Sequence, residues 1–578
     1  MLHFPSVARV SRLRVASRKA VDRLRGVRWT TLRHLAPGMF AVACAPFLFP
    51  LFRMEIKEPL FGDTAIFQYT AWCIRHGMRL YRDVGTADGP FIHYLQAAMQ
   101  AFAGITDRGF RIADLVVQSV GSACIGALLA PTAGLNRPSR LASRVAWAAL
   151  AAVVWFSWYL DLAWSETTER ETYYALFGGL GMALAYASDR MSRRLEAAAL
   201  LAGSFVASTQ AFGKPTGVVY PAMVMLCAAL PSATSTLSRR ARVVTVMVGA
   251  AACVLAVLVA LLVSGSVKYY FFWCWKIPYV GNRYLYGMSW YRLFLSGWDG
   301  SRMMAVTSLV VGTGAIATDF VSVRALSFVL VPPILFVGAC LQGRGYGYHF
   351  APVTAGFHLL LLLGAARLWE QGQQEGAPGA HRGLVPVLGL AFLGYYCFQD
   401  LQVSPFRWNG DESTWTVPAN HFAEDEKSVG RYVKENTRPT DLIFAYGAGE
   451  NASIVMLYAE RRTASPFFHS FWLDPVGMLP MSENKPGPKE LEALTKLEGE
   501  IRDIACQAVE QKRPEVMTFN LLPQVFKVCP NIEHMLAHDY DDATTIGSFH
   551  VYRRRSTGFD AESAVAGAST RPASGAPR

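Results

Sequence analysis

Asp63 stands in Phe61-Gly62-Asp63-Thr64, just past the first long apolar run, where a charge has little reason to sit without a task. It opens a loop dense in polar and aromatic groups, through Tyr81-Arg82-Asp83 and Asp88-Gly89-Pro90 to His93-Tyr94. A later loop holds more acids, Asp161, Glu166, Glu169 and Glu171. A positioned carboxylate can take the proton of an attacking hydroxyl. Asp63 caps nothing evident, so general-base chemistry is its preferred reading, with Glu171 the second candidate. Glu171 also opens an apolar helix, where an acid is favourable to the dipole.

Cations come next. Lys214 lies between two apolar runs in Gly213-Lys214-Pro215, and Arg344, with Tyr346, Tyr348 and His349, precedes another. Long basic side chains at helix ends commonly snorkel to headgroups. Their joint occurrence on the acid-bearing side favours phosphate contacts instead. His349 is a candidate proton donor, against the commoner role of a hydrogen-bonded structural group.

These residues are spaced by stretches that read as membrane helices. The chain has 578 residues, 52% hydrophobic and only 17% charged, with a mean hydropathy of +0.23. A soluble chain carries about a quarter charged residues. Apolar runs at 37–52, 115–136, 145–160, 172–188, 197–213, 215–238, 243–267, 303–318, 325–343, 350–366 and 383–399 predict about eleven transmembrane helices, several short of the ~20-residue ideal. The expected fold is therefore a polytopic α-helical membrane protein with a small C-terminal α/β soluble domain. The segment 90–105 lacks charge but is read as interfacial or re-entrant.

Loop charge sets the orientation, because short cytoplasmic loops carry the Lys/Arg excess. The arm before the first helix is rich in arginine, and alternate loops hold Arg137/Arg140/Arg144, Arg190/Arg193/Arg194, Arg239/Arg240/Arg242, Arg324 and Arg367/Arg382. These belong inside; Asp63, Glu169, Glu171 and the C-terminal region belong outside. The expected location is the plasma (inner) membrane. The net charge of +12 sits largely in that arm and the inner loops, so anionic headgroups rather than nucleic acid are its partner.

The expected organisation is a basic cytoplasmic arm over 1–35, a transmembrane domain over 36–399, an extracytoplasmic α/β domain over 400–555 and a disordered tail over 556–578. In the α/β domain, 441–447 reads as a buried strand followed by a helix, 489–511 as a charged helix, 514–519 as a second strand and 546–552 as a third. Between Lys268 and Asp299 lies an outer loop rich in Tyr, Phe and Trp, an aromatic belt at headgroup depth that could also hold a polyprenyl tail. Ten cysteines show no metal-ligand spacing. Cys506 and Cys529 are the two in the external domain and could pair.

The run Gly62-Asp63, Gly77, Leu80-Tyr81-Arg82-Asp83, Gly89-Pro90, Tyr94 resembles the first outer loop of the GT-C glycosyltransferases related to protein O-mannosyltransferases and to the lipid A aminoarabinose transferase. Glu171 opening an apolar helix, Lys214-Pro215, Tyr348-His349-Phe350 with Pro352, and 441–444 with 458–462 extend the likeness over about residues 36–550. The resemblance implies Asp63 as base, with Glu171 behind it. It implies substrate binding by Tyr81, Asp83, Tyr94, Glu169, Lys214, Arg344, Tyr348 and His349. Two departures stand out: Thr64 follows Asp63 where protein mannosyltransferases carry a second acid, and Asp88-Gly89 precedes Pro90 where relatives often have a basic residue.

The expected function is an integral-membrane inverting glycosyltransferase passing sugar from a polyprenyl-phosphate donor to an extracytoplasmic lipid, glycan or protein acceptor. No cofactor is required and a divalent metal is optional. The alternatives are a polysaccharide ligase using a diphosphate-linked glycan, which an arginine cluster in the long aromatic loop would favour, and a transporter or flippase, which internal pseudo-symmetry would favour. The loop offers only Arg283 and Arg292, and no repeat is evident.

Overall fold

A computed structural model describes residues 34–555, apart from 133–134, 163–166, 282–283, 285–286, 296–322, 345, 372–411 except Gly394, 448–450, 469–472 and 478. The basic arm, the expected spans 303–318 and 383–399, Glu166, Arg283 and the tail lie outside the described residues.

The other expected spans form helices. They are α1 (His34–Glu55), then, after two helices of the first long loop, α2 (Asp63–Arg75) and α3 (Pro90–Ala103), α4 (Asp107–Leu129), α5 (Arg137–Tyr159), α6 (Arg170–Ala187) and α7 (Arg193–Gly213). A 3-10 turn (Pro215–Val218) leads into α8 (Val219–Ala229), followed by α9 (Arg239–Val263), α10 (Leu326–Leu341) and α11 (Ala351–Gln371). Among the described residues, seven helices are long and apolar enough to cross a membrane. The protein is a multi-pass membrane protein. At 14 residues, α3 is shorter than a span. Arginines open α5, α7 and α9, against the preference of the helix dipole. Polar caps at Asn136 and Ser238 offset this, and the loop-charge rule explains it better than helix propensity does.

Burial separates lipid-facing from central helices. Along α9, Val244, Met247, Leu255 and Val259 are exposed, as a surface facing hydrocarbon should be, whereas α6 and α11 are buried along most of their length. The centre of the bundle is therefore protein on all sides, and polar groups carried there need protein partners.

The C-terminal part is a five-stranded sheet in the order β2-β1-β3-β5-β4. Strands β1 (Leu442–Tyr446), β2 (Arg462–Thr463) and β3 (Val516–Phe519) are parallel, while β4 (Tyr540–Ile546) and β5 (Phe549–Arg554) form an antiparallel hairpin, with Thr518 opposite Val551. The expected single strand over 546–552 is corrected: a turn at Gly547, with φ of 56°, divides it. The missed strand β4 reads Tyr-Asp-Asp-Ala-Thr-Thr-Ile and is largely exposed, so it carries no apolar alternation to read. Helices α12 (Glu412–Asn436), α13 (Asn451–Ala459), α14 (Pro488–Lys512), α15 (Leu522–Val528) and α16 (Pro530–Asp539) complete this part. Cys506 of α14 and Cys529, between α15 and α16, are disulfide-bonded with Cα atoms 5.5 Å apart.

The sheet is not an appendage. It shares one hydrophobic core with the first long loop, where Phe67, Tyr69, Trp72 and Tyr81 meet Phe444, Met456, Phe467 and Phe468. Tyr69 Oη donates to the Arg461 carbonyl at 3.0 Å, and the Gly85 N–H donates to the Pro466 carbonyl at 2.9 Å. The loop that carries Asp63 is thereby held between the bundle and the sheet.

Candidate active site

Asp63 is the first residue of α2, and Gly62 before it has φ of 62°, a left-handed conformation that suits a residue without Cβ. The turn points the carboxylate into a cavity of about 1120 Å³. The start of α6 lines the same space with Glu169 and Arg170, the end of α7 with Lys214, and the loop before α11 with Arg344, Tyr348 and His349. Residues far apart in the chain thus converge on one volume.

A close backbone approach makes this possible. The Gly89 N–H donates to the Gly213 carbonyl at 3.2 Å, and a Cβ on Gly89 would run into the Phe212 carbonyl. Only glycine lets the first long loop lie against the end of α7, which brings Asp88 to Arg170. Thr86 Oγ1 donates to Asp88 Oδ2 at 3.1 Å, and Asp88 Oδ1 pairs with Arg170. Arg170 Nε also reaches Glu171 Oε1 at 3.3 Å, the oxygen that receives the Lys214 ammonium. The second Glu171 oxygen, Oε2, is buried without a hydrogen-bond partner.

The two candidate carboxylates therefore differ in kind. Glu171 is held by two cations, whereas no described residue hydrogen-bonds or ion-pairs with the Asp63 side chain. Burial pushes the Asp63 pKa up, and Arg170, Arg344 and Lys214 draw it back only in part. A carboxylate raised toward neutral pH and unpaired is the better proton acceptor. Burial depresses the Lys214 pKa to about 8 even with Glu171 beside it, and lowers that of Arg344. An arginine stays charged regardless.

Tyr346 and Tyr348 stack with ring centroids 5.4 Å apart, and His349 lies against Tyr348 at 4.6 Å, with its Nδ1 buried and unpartnered. Among the described residues no group of three or more His, Cys, Asp and Glu side chains is placed to hold a metal.

Three of the expected substrate contacts lie elsewhere. Tyr81 is wholly buried, its hydroxyl donating to the Asp88 carbonyl at 2.8 Å, so it shapes the loop from behind. Asp83 is paired with Arg79 at 3.2 Å at the surface. Tyr94 is 46% exposed on α3 and does not line the cavity. Conversely, sequence reading passed over Arg170 and Asp88. The signal available was a lone cation between two acids, Glu169-Arg170-Glu171, at the start of an apolar helix.

The cavity has an apolar side as well. Val218, Ile334, Val337 and Leu341 line it, and their side chains are exposed. The aromatic loop contributes Trp275 and Tyr279, and α14 of the sheet part contributes Glu490 and Ala493.

No family model matches the chain, nor does any curated protein. Solved structures do. ArnT from Cupriavidus metallidurans bound to undecaprenyl phosphate superposes with a TM-score of 0.53 at 12% identity, over 90% of this chain and 99% of that one. The same protein in the apo state gives 0.50 at 12% identity, over 88% and 97%. The chain shares the fold of these two ArnT structures. Both superpositions cover too much of this chain to leave out the sheet, so the likeness of fold extends to the C-terminal part that closes one wall of the cavity.

Proposed function

We propose that the protein is an integral-membrane, inverting GT-C glycosyltransferase that passes a sugar from a polyprenyl-phosphate donor to an acceptor on the exported side. The observation that carries this reading is the cavity: an unpaired carboxylate and three cations line it together with an exposed apolar wall. A phosphate on a long isoprenoid chain has these two requirements in one molecule. One of the two ArnT structures holds undecaprenyl phosphate, a polyprenyl phosphate.

In this reading the acceptor hydroxyl attacks the anomeric carbon from the face opposite the phosphate. The C–O bond to phosphate breaks, its electron pair stays on the departing polyprenyl phosphate, and Asp63 takes the hydroxyl proton. Configuration inverts because there is one displacement. Lys214, Arg170 and Arg344 offset the charge gathering on the phosphate. Glu171 holds Lys214 and Arg170 rather than acting as base. Glu169, Tyr348 and His349 line the donor pocket. The ligase alternative gains no support from the aromatic loop, because Arg292 is engaged by Glu483 at the exposed surface.

The test has two arms. Binding of undecaprenyl phosphate to the purified chain in nanodiscs reports the donor pocket. Mass spectrometry of lipids and envelope glycans from a strain lacking the chain, against its parent, reports the transfer. Absence of both binding and any glycan difference would sink the proposal.

A further inference from the structure

Thr168 has φ of 64°, a region that a β-branched residue enters only when its surroundings force it. Such outliers persist where a fold over-determines them, and they concentrate at functional sites. Here three contacts do the forcing. The Thr168 N–H donates to Tyr159 Oη at 3.1 Å, its hydroxyl donates to the Thr167 carbonyl at 2.5 Å, and the same hydroxyl meets Thr64 Oγ1 at 2.7 Å. Tyr159 is itself fixed, with its hydroxyl on Asp114, which also receives Tyr173 at 2.7 Å.

The neighbours on each side matter. Thr64 follows Asp63, and Thr168 precedes Glu169 and Arg170 by one and two positions. A second tether runs alongside: Arg111 of α4 pairs with Glu55 at 2.8 Å and donates to the Pro59 carbonyl at 3.0 Å and to Thr167 Oγ1 at 2.8 Å. One guanidinium thus holds both the chain running into Asp63 and the chain running into Arg170.

We propose that the buried Thr64–Thr168 hydroxyl bridge is a positioning clamp that sets the Asp63 carboxylate against Arg170 and thereby governs proton removal from the acceptor. This rests on the glycosyltransferase reading above. Neither threonine touches substrate; both act through their neighbours. The strained turn supplies stiffness: it cannot relax without breaking the bridge. A displacement of about 1 Å at a reacting group can cost on the order of a hundredfold in rate.

The experiment compares wild type, Thr64→Val and Thr64→Ser. Valine matches threonine in shape and lacks only the hydroxyl, while serine restores it. Each purified chain, in nanodiscs, is assayed for binding of undecaprenyl phosphate. Each is then added to membranes from a strain lacking the chain, and sugar transfer is followed by mass spectrometry against pH. Asp63 is faced by Arg170 and Glu171 from α6, Lys214 after α7, and Arg344 and Tyr348 before α11; Asp88 and Glu169 share its cavity wall. Arg170 is the strongest of the groups that hold the Asp63 pKa down. Loosening it should move the acid limb of the rate profile to higher pH.

Thr64→Val should bind undecaprenyl phosphate within about twofold of wild type, lose about tenfold or more in turnover, and show the raised acid limb. Thr64→Ser should recover both. Wild-type turnover and profile in Thr64→Val would overturn the clamp. So would a fall in turnover without movement of the limb, or loss of undecaprenyl phosphate binding in both variants, since those are the marks of a merely structural threonine. A wild-type chain that transfers no sugar would overturn the glycosyltransferase reading, and the clamp with it.

Discussion

Lys214 is ion-paired with Glu171, and that glutamate is also reached by Arg170. The cation offered to a phosphate is therefore already in contact with a carboxylate. Its proton is nonetheless weakly held, because burial outweighs the partner and leaves the Lys214 pKa at about 8. Phosphate affinity needs the charged form, which is present below about 8 and lost as pH rises through it. Undecaprenyl phosphate binding should be flat from about pH 6 to 7.5 and weaken above 8. In Lys214→Arg that weakening should vanish, since guanidinium stays protonated. Titrating binding against pH in both proteins checks this.

Truncation should separate the cations from headgroup anchors. Lys214→Ala or Arg344→Ala should each weaken undecaprenyl phosphate binding by about 1.5–3 kcal/mol, the scale of a charge-assisted hydrogen bond. Unchanged affinity in both variants would assign them to the membrane interface.

For Asp63, chemistry and stability should move in opposite directions. Asp63→Asn keeps the volume but cannot accept a proton, so turnover should fall about a hundredfold or more while undecaprenyl phosphate binding is retained. The folded pKa of Asp63 is raised. Relative to the unfolded chain, its stability contribution is fully present below about pH 4 and is lost as pH rises through the raised value. At neutral pH the ionised carboxylate is thus a burden that asparagine removes. Thermal melts of Asp63→Asn should show a midpoint at or above wild type at pH 7, with the difference shrinking toward acid. A clear loss of stability at pH 7 would contradict the site electrostatics.

The Cys506–Cys529 bond spans a sequence separation of 23. By the loop-entropy relation, Cys506→Ser should cost about 3 kcal/mol in the sheet region. Limited proteolysis around α14 to α16 should accelerate in the variant and in the reduced protein. Equal protection before and after reduction would show that packing alone holds these helices.

Topology can be tested separately. A reporter active only outside should be active when fused after Gln399 and silent after Arg194. A disulfide suits that outer side, because reducing cytosol rarely keeps one. Activity at Arg194 would reverse the membrane sidedness of the cavity.

Much of the architecture was legible from composition, because a bilayer imposes length and polarity on its spans more strictly than water imposes either on a soluble core. The runs at 37–52 and 243–267 found α1 and α9 for that reason. The sheet was read less completely. β1 and β3 are buried apolar runs, but β4 is a polar edge whose pairing depends on a hairpin turn at Gly547. Within the site, Asp63, Lys214 and Arg344 could be picked out as charges beside apolar runs. Arg170 carried a weaker signal, a lone cation between two acids at the start of an apolar helix, which also fits ordinary surface until something deprives it of solvent.

The sequence by itself determined which segments enter the membrane and which charges stand at their ends, since those follow from local hydrophobicity. Only the tertiary structure decided which carboxylate is spoken for. The sequence ranks Asp63 above Glu171 as base but does not show which of them is paired. Lys214 arrives from the end of α7 to neutralise one of them, and Asp88, brought in by the Gly89 contact, takes one side of Arg170. Asp63 is left half-buried in the cavity wall without an ion-pair partner among the described residues. That difference is set by distance and desolvation, which no order of residues along a chain specifies.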